Sequence, residues 1–301
     1  MKSLMKKMVA SMAAMCVMGV ATAFAAEEAK PAAAPEAPAA TAPAAPAEDK
    51  VTGSISLSGY NRYIFRGYEL STHSAVIEPQ LSVSYKGFSA TIWGNVDTHQ
   101  TQTQSFFPDN TTEKASHRSW NETDFTFSYT FNPIDKLSVT GGYIYYGTKY
   151  TKETEELFAS ISYDWYGKPT LTVNRDIRSY PGTYINLSLS HSEPVYKIST
   201  GDITLDLGAS VAYFIGDGSY WKTYDSSTGA YTGSKYSALH DGMVKAGFTI
   251  PLGKGFSVSP VAQYIFPLSS KAKKSVDGNS YNPNGKLDQN FVYGVGLTFS
   301  F

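Results

Sequence analysis

Eleven positions on the polar side of an alternating pattern carry groups that could do chemistry: Arg62, Arg66, Glu78, Gln80, Asp97, Glu122, Asp124, Glu156, Asp164, Asp206 and Lys245. Seven acids stand against three bases, so the surface they share leans acidic. Rings of fixed charge select permeants when they line a passage. Placed on a first strand, Arg62 and Arg66 lie across from Glu78 on its hairpin partner, with Asp97 near the same rim and Glu122 and Asp124 beyond. These six are the lumen and selectivity candidates. Opposed charges there would orient a zwitterionic or polar solute; the competing reading is a set of structural ion pairs filling a narrow interior.

Other chemistry finds less support. A lipid hydrolase needs an adjacent serine and histidine with a polar orienter. Ser190-His191-Ser192 is the candidate cluster, but it falls at the end of the eighth strand beside Glu193-Pro194, where turn chemistry accounts for it. His73, His99, His117 and His240 read as loop residues without a second histidine at ligand spacing, so no metal site is expected. The Asp/Asn-rich stretch from Asp277 to Asp288 misses the calcium-loop spacing and reads as an exposed loop. A single cysteine excludes a disulfide framework. With 25 Lys+Arg against 26 Asp+Glu, no basic surplus exists to hold a nucleic acid. No catalytic residue, metal or cofactor is assigned.

The elements that would position the charged set begin after a leader. Lys2, Lys6 and Lys7, then an apolar run from Met8 to Val20 and the Ala23-Phe24-Ala25 site, read as a signal peptide over residues 1–25. Its removal takes away Cys16 and leaves 22 Lys+Arg against 26 Asp+Glu, a charge of −4. Residues 26–50 are Ala/Pro low complexity with nothing to bury, a spacer reaching about 75 Å if fully extended. It reads as a tether towards the cell wall or as an inert leader.

From Val51 to Phe301 the apolar residues recur at every second position. Phe291, Tyr293, Val295, Leu297, Phe299 and Phe301 fall on one face, and Gly294, Gly296, Thr298 and Ser300 on the other. Such segments occur at 53–66, 76–86, 88–98, 119–131, 136–147, 155–166, 169–177, 183–191, 202–214, 240–251, 255–266 and 289–301. Each approaches the ~9 to 11 residues of a tilted bilayer-crossing strand, and no apolar run reaches the ~18 of a helical span. Links after even-numbered segments are tight, except after the eighth; links after odd-numbered ones are mostly longer and polar. That parity describes an up-and-down antiparallel transmembrane β-barrel of about 12 strands (10 to 14), with the termini and short turns in the periplasm.

A soluble β-sandwich would carry Lys and Glu on its wet face; here that face is mostly Ser, Thr, Gly and Asn. Aromatics cluster near both strand ends: Tyr85, Phe88, Phe131, Trp165, Phe256 and Phe301 at the turn side, and Tyr63, Phe65, Phe125, Tyr143, Tyr145, Tyr213 and Phe266 at the loop side. Leu81, Ile92, Val139, Ile161 and Leu187 fill the middles. This is the pattern of two interfacial girdles around a hydrocarbon band. Twelve strands lie between a filled barrel and an open channel, which predicts a narrow passage. Loops 215–238 and 267–287 are long enough to fold in and close it. Arg175, on a nominally outward face, is expected above the hydrocarbon band.

Asn61-Arg62-Tyr63-Ile64-Phe65-Arg66-Gly67, then Glu78-Pro79-Gln80-Leu81-Ser82-Val83-Ser84-Tyr85 and Gly87-Phe88-Ser89-Ala90-Thr91-Ile92-Trp93-Gly94-Asn95-Val96-Asp97, resemble the opening of the TorF-type family of outer-membrane porins. The resemblance covers about the first three strands and the Phe-ending last strand. It implies an outer-membrane barrel and a transport role. Tyr293, Phe299 and Phe301 resemble the C-terminal signal read by the outer-membrane barrel-assembly machinery. The expected partners are thus the lipid bilayer, that machinery and small polar solutes. The rival functions are a plugged barrel anchoring the Ala/Pro tether, and a lipid-modifying enzyme.

Overall fold

The computed structural model describes residues 50–71, 74–100, 117–149, 152–225, 227–274 and 287–301. The expected leader, and the spacer up to residue 49, lie outside them. In chain order the strands are β1 (Thr52–Tyr60), β2 (Ile64–Phe65), β3 (Tyr68–Glu69), β4 (Val76–Tyr85), β5 (Phe88–Gln100), β6 (His117–Ile134), β7 (Leu137–Thr148), β8 (Thr154–Tyr163), β9 (Thr170–Asp176), β10 (Gly182–Ile198), β11 (Gly201–Gly216), β12 (Lys222–Tyr224), β13 (Tyr231–Lys235), β14 (Ser237–Gly253), β15 (Phe256–Pro267) and β16 (Asn290–Ser300). Two small hairpins, β2–β3 and β12–β13, stand apart, and the other twelve strands close into one antiparallel barrel. Closure joins β1 to β16, with Leu57 opposite Leu297. Beyond the last ladder pair, the Gly53 N–H donates to the Phe301 carbonyl at 2.9 Å, and the Phe301 N–H donates to the Gly53 carbonyl at 3.0 Å.

Alternation of side chains across a pleated strand gives this barrel two unlike faces. On β8, Leu157 and Ile161 are 51% and 49% exposed while Glu156 is 1% exposed, and Ser160 and Ser162 are buried beside it. On β16, Phe291, Tyr293 and Leu297 point out and Val292 points in, and Phe301, just past its end, is exposed. The apolar groups face outward, the reverse of a soluble globule and the arrangement of a transmembrane β-barrel. No described helix is long and apolar enough to cross a membrane. At the turn end the outer aromatics pack on one another: Phe88 with Tyr129 at 4.6 Å, Phe256 with Phe299 at 4.7 Å, and Phe299 with Phe301 at 6.0 Å.

The strand connections alternate between two ends, and the longest, such as 61–75, 101–116 and 217–236, all lie at one of them. Lys86-Gly87, Asp135-Lys136, residues 164–169, Ser199-Thr200 and Lys254-Gly255 lie at the end that holds Val51 and Phe301; the other links lie opposite. Two expectations change here. The eighth segment does not stop at 191 but runs to Ile198, and a register shift between Pro194 and Tyr196 accommodates a residue with no N–H to give the ladder. Its link is therefore as short as the rest. The first segment does not reach 66: β1 leaves the wall after Tyr60, and β2–β3 form a separate hairpin.

Candidate functional site

The β2–β3 hairpin lies inside the barrel. Its turn is Arg66-Gly67, with φ of 49° and 77°, the left-handed pair of a two-residue hairpin. A Cβ on Gly67 would fall 2.0 Å from Leu287 Cδ2 and 2.9 Å from Asp241 Cβ, so only glycine fits. Around the turn, the hairpin touches walls on every side. Tyr63 meets Trp93 of β5 at 5.5 Å, Phe65 meets Tyr146 of β7 at 5.8 Å, and Tyr68 meets His240 of β14 at 5.2 Å. Ile64 packs with Ile265 of β15 and Val292 of β16. Tyr63, Ile64 and Tyr68 are each 0% exposed.

Arg66 is the electrostatic anchor. Its two terminal nitrogens donate to the two carboxylate oxygens of Glu156, both at 2.7 Å. A bidentate guanidinium–carboxylate pair fixes orientation as well as charge. The rings of Phe65 and Tyr184 flank the guanidinium at 4.7 and 4.6 Å. Tyr146 adds a hydroxyl donor to Glu156 at 3.1 Å. The Arg66 carbonyl accepts from His240 Nε2 at 3.1 Å, which leaves His240 Nδ1 to accept from the Tyr236 hydroxyl at 2.6 Å. His240 therefore belongs to the β14 inner wall, not to a loop.

The six candidates divide. Arg62 and Arg66 are not across from Glu78, because they sit on the hairpin and its approach while Glu78 is paired in register with Ser58. Arg62 stays near the hairpin base, 2.8 Å from Glu69 and donating to Asn290 Oδ1 at 2.8 Å. Asp97 accepts from the Ser74 hydroxyl. Glu78, Glu122 and Asp124 line the inner wall of β4 and β6, are 3%, 4% and 3% exposed, and face Tyr63. Arg66 thus forms a buried ion pair with Glu156 across the lumen, while Glu78, Glu122 and Asp124 stand on the wall beside Tyr63. Tyr63 and Phe65, expected in the outer girdle, are core residues of that insertion.

Below the hairpin the inner wall is different. Hydroxyls bridge neighbouring strands: Ser82 to Thr91 at 2.8 Å, Ser84 to Ser89 at 2.6 Å, Thr130 to Thr140 at 2.8 Å and Ser160 to Thr172 at 3.1 Å. Asp206 accepts from Ser192 at 2.6 Å and from Thr249 at 2.7 Å. Lys245 lies across Gly208 on the inner face, yet its side chain is exposed, so this part of the lumen is open to water. Asp164 sits exposed in a turn rather than on the inner wall. Ser192 donates to Asp206 while His191 packs against Tyr166 with ring centroids 4.8 Å apart and turns its Nε2 to Glu193 at 3.5 Å, so the serine and histidine form no dyad.

At the opposite end, β12–β13 and an aromatic knot of Tyr180, Phe214, Trp221 and Tyr236 cover one side of the mouth. Arg175 reaches Asp217 at 2.7 Å beyond the end of β11, at the loop end as expected. The Arg175 guanidinium, the Gly218 N–H and Lys235 hold the Asp217 carboxyl well below the usual carboxylate range. Of the loop 267–287, residues 275–286 lie outside the described residues; Leu287 is buried and bridges Tyr68. Among the described residues the first loop enters the lumen, and Ala272 and Leu287 of the loop 267–287 pack against it.

No family model matches the chain, and no curated protein matches it in sequence. Among solved structures, the NanC porin aligns at 10% identity with a TM-score of 0.48, covering 81% of this chain and 98% of that one. LpxR from Salmonella typhimurium aligns at 8% identity with a TM-score of 0.43, over 82% and 99%. Salmonella typhi OmpF in complex with daunomycin aligns at 11% identity with a TM-score of 0.32, over 84% and 97%. These likenesses assign neither family nor activity, and the fold rests on the strand register above.

Proposed function

We propose that the protein is a porin-like channel of the outer membrane, passing small polar solutes through an acidic-leaning lumen narrowed by the β2–β3 hairpin. The observation that carries this reading is the hydroxyl-lined half of the lumen, with Lys245 exposed to water in it. A purely structural barrel has no need of a solvated interior. The hairpin adds a transverse arrangement of Arg66 and the wall acids where solutes must pass. The apolar outer band and its aromatics argue for residence in a bilayer. The resemblance of the opening segments to the TorF-type porins agrees with transport, and the short-turn end with both described chain ends fits the periplasmic side. In this orientation Phe301 ends the closing strand where assembly machinery would read it.

A second reading, a plugged barrel serving as a foot for the Ala/Pro tether, is favoured by one observation. The hairpin is packed without exposure at Tyr63, Ile64 and Tyr68. Planar-bilayer recording of the refolded protein separates the two. The channel reading expects discrete conductance steps whose ion selectivity favours cations and weakens in Glu122→Gln. A silent wild type would support the plugged barrel instead. Fatty-acid release from vesicles would favour the lipid-modifying enzyme over both.

A further inference from the structure

The wall beside Tyr63 gathers three buried carboxyl groups that no Lys or Arg among the described residues pairs with. Arg66 is the one Lys or Arg among the buried described residues, and Glu156 engages both of its terminal nitrogens. Glu78, Glu122 and Asp124 remain. Trp93 stands within donor reach of Glu78 and Tyr63 of Glu122, yet Glu78 Oε1, Glu122 Oε2 and both Asp124 oxygens are left without a partner among the described residues. Buried carboxylates in that condition are costly unless a proton neutralises them or a cation joins them.

A neutral side chain points to the same place. Asn95 is 0% exposed and lies opposite Glu122 in the β5–β6 register, level with Glu78 on its other side. Its amide nitrogen donates to Asn121 Oδ1 at 2.7 Å, which leaves its carbonyl oxygen without a partner among the described residues. Oxygen acceptors from three strands therefore converge on one stretch of wall. No group of His, Cys, Asp or Glu among the described residues is close enough to hold a metal ion. The acceptors suit instead a larger cation with several N–H donors. Two aromatic rings, Tyr63 and Trp93 at 5.5 Å from each other, supply the faces on which an organic cation rests.

We propose that Glu78, Glu122, Asp124 and the Asn95 carbonyl oxygen, with the Tyr63 and Trp93 rings, bind the alkylammonium group of a small organic amine. The inference deepens the channel reading and rests on it for the route, since the amine would enter through the hydroxyl-lined half. Within the site, the N–H donors reach carboxylates on separate strands and the alkyl chain lies along the rings. The amine thereby supplies the positive charge that the wall lacks.

Calorimetric titration of the full chain, purified in detergent, with 1,4-diaminobutane tests this. Saturable binding is expected, at least tenfold tighter than for tetramethylammonium, which carries the charge without an N–H. Glu122→Gln and Asp124→Asn should each weaken binding at least tenfold. Both remove a buried charge, so the barrel should still fold, and circular dichroism checks that it does. The comparison of the two probes on the wild type needs no variant at all. No saturable binding, equal binding of tetramethylammonium, unchanged affinity in both folded variants, or displacement of the amine by Mg²⁺ would each overturn the site. Conductance steps without amine binding would sink the site and leave the channel standing; amine binding without steps would do the reverse.

Discussion

Along β5 and β6 the inner face changes character within a few residues. Towards the turns it presents Ser89, Thr91, Thr126 and Ser128; towards the loops it presents Trp93, Asn95, Glu122 and Asp124. The backbone pairing is the same in both stretches. The first stretch is half exposed to water, and the second is buried against the inserted hairpin. An antiparallel ladder thus fixes which residues face inward, while what fills the barrel decides whether the inward face is wet. Small hydroxyls satisfy each other across strands and leave space. Large and charged groups need partners, and the hairpin brings them.

The contrast is most easily broken by removing the hairpin. Replacing residues 62–70 with a short Gly/Ser linker should raise single-channel conductance several-fold, because the loop-end half would become as open as the turn-end half. Next in size is the anchor. Arg66→Ala strands Glu156 in a buried position, a change that typically costs ~3–5 kcal/mol. Chemical unfolding followed by tryptophan fluorescence should show it, and Arg66→Met combined with Glu156→Met should recover most of the loss.

A third test concerns the wall. Leu81 pairs with Ile55 and Ile92 and faces out, so Leu81→Arg should destabilise by ~2–4 kcal/mol in lipid, whereas Thr91→Arg on the inner face should cost less. In the wet half, Ser128→Trp should reduce conductance while leaving stability within ~0.5 kcal/mol. The smallest effect is expected at the mouth. The lowered Asp217 carboxyl contributes fully above its ordinary range and is lost only as pH falls through the depressed value, so the Arg175–Asp217 contact should persist below about pH 4, where an ordinary aspartate protonates. Both side chains are about half exposed, so Asp217→Asn should still leave the unfolding midpoint almost unchanged at neutral pH.

Much of the barrel was legible because period-two alternation and turn length are local. Twelve segments were expected and twelve strands close the wall. The candidate site was less legible, since lumen contacts join residues far apart in the chain, such as Arg66 and Glu156. Alternation continued through Tyr63 and Phe65, so the hairpin read as an extension of β1. A signal was nevertheless present: Phe65-Arg66-Gly67-Tyr68 repeats the form of Tyr85-Lys86-Gly87-Phe88, and the φ angles of Arg66 and Lys86 are 49° and 48°. Basic-Gly between aromatics marks a two-residue turn in both places. Glu156 was correctly placed on the inner face of β8, but nothing local told it apart from the other inward acids as the anchor.

The central claim, that an inserted hairpin divides the lumen into an open and a packed half, is tested most directly by thiol accessibility. Among the described residues there is no cysteine, so single substitutions report cleanly. A charged, water-soluble thiol reagent added to the refolded, leaderless barrel should modify Ser128→Cys rapidly and Ile64→Cys at least a hundredfold more slowly. Equal rates at the two positions would contradict the account.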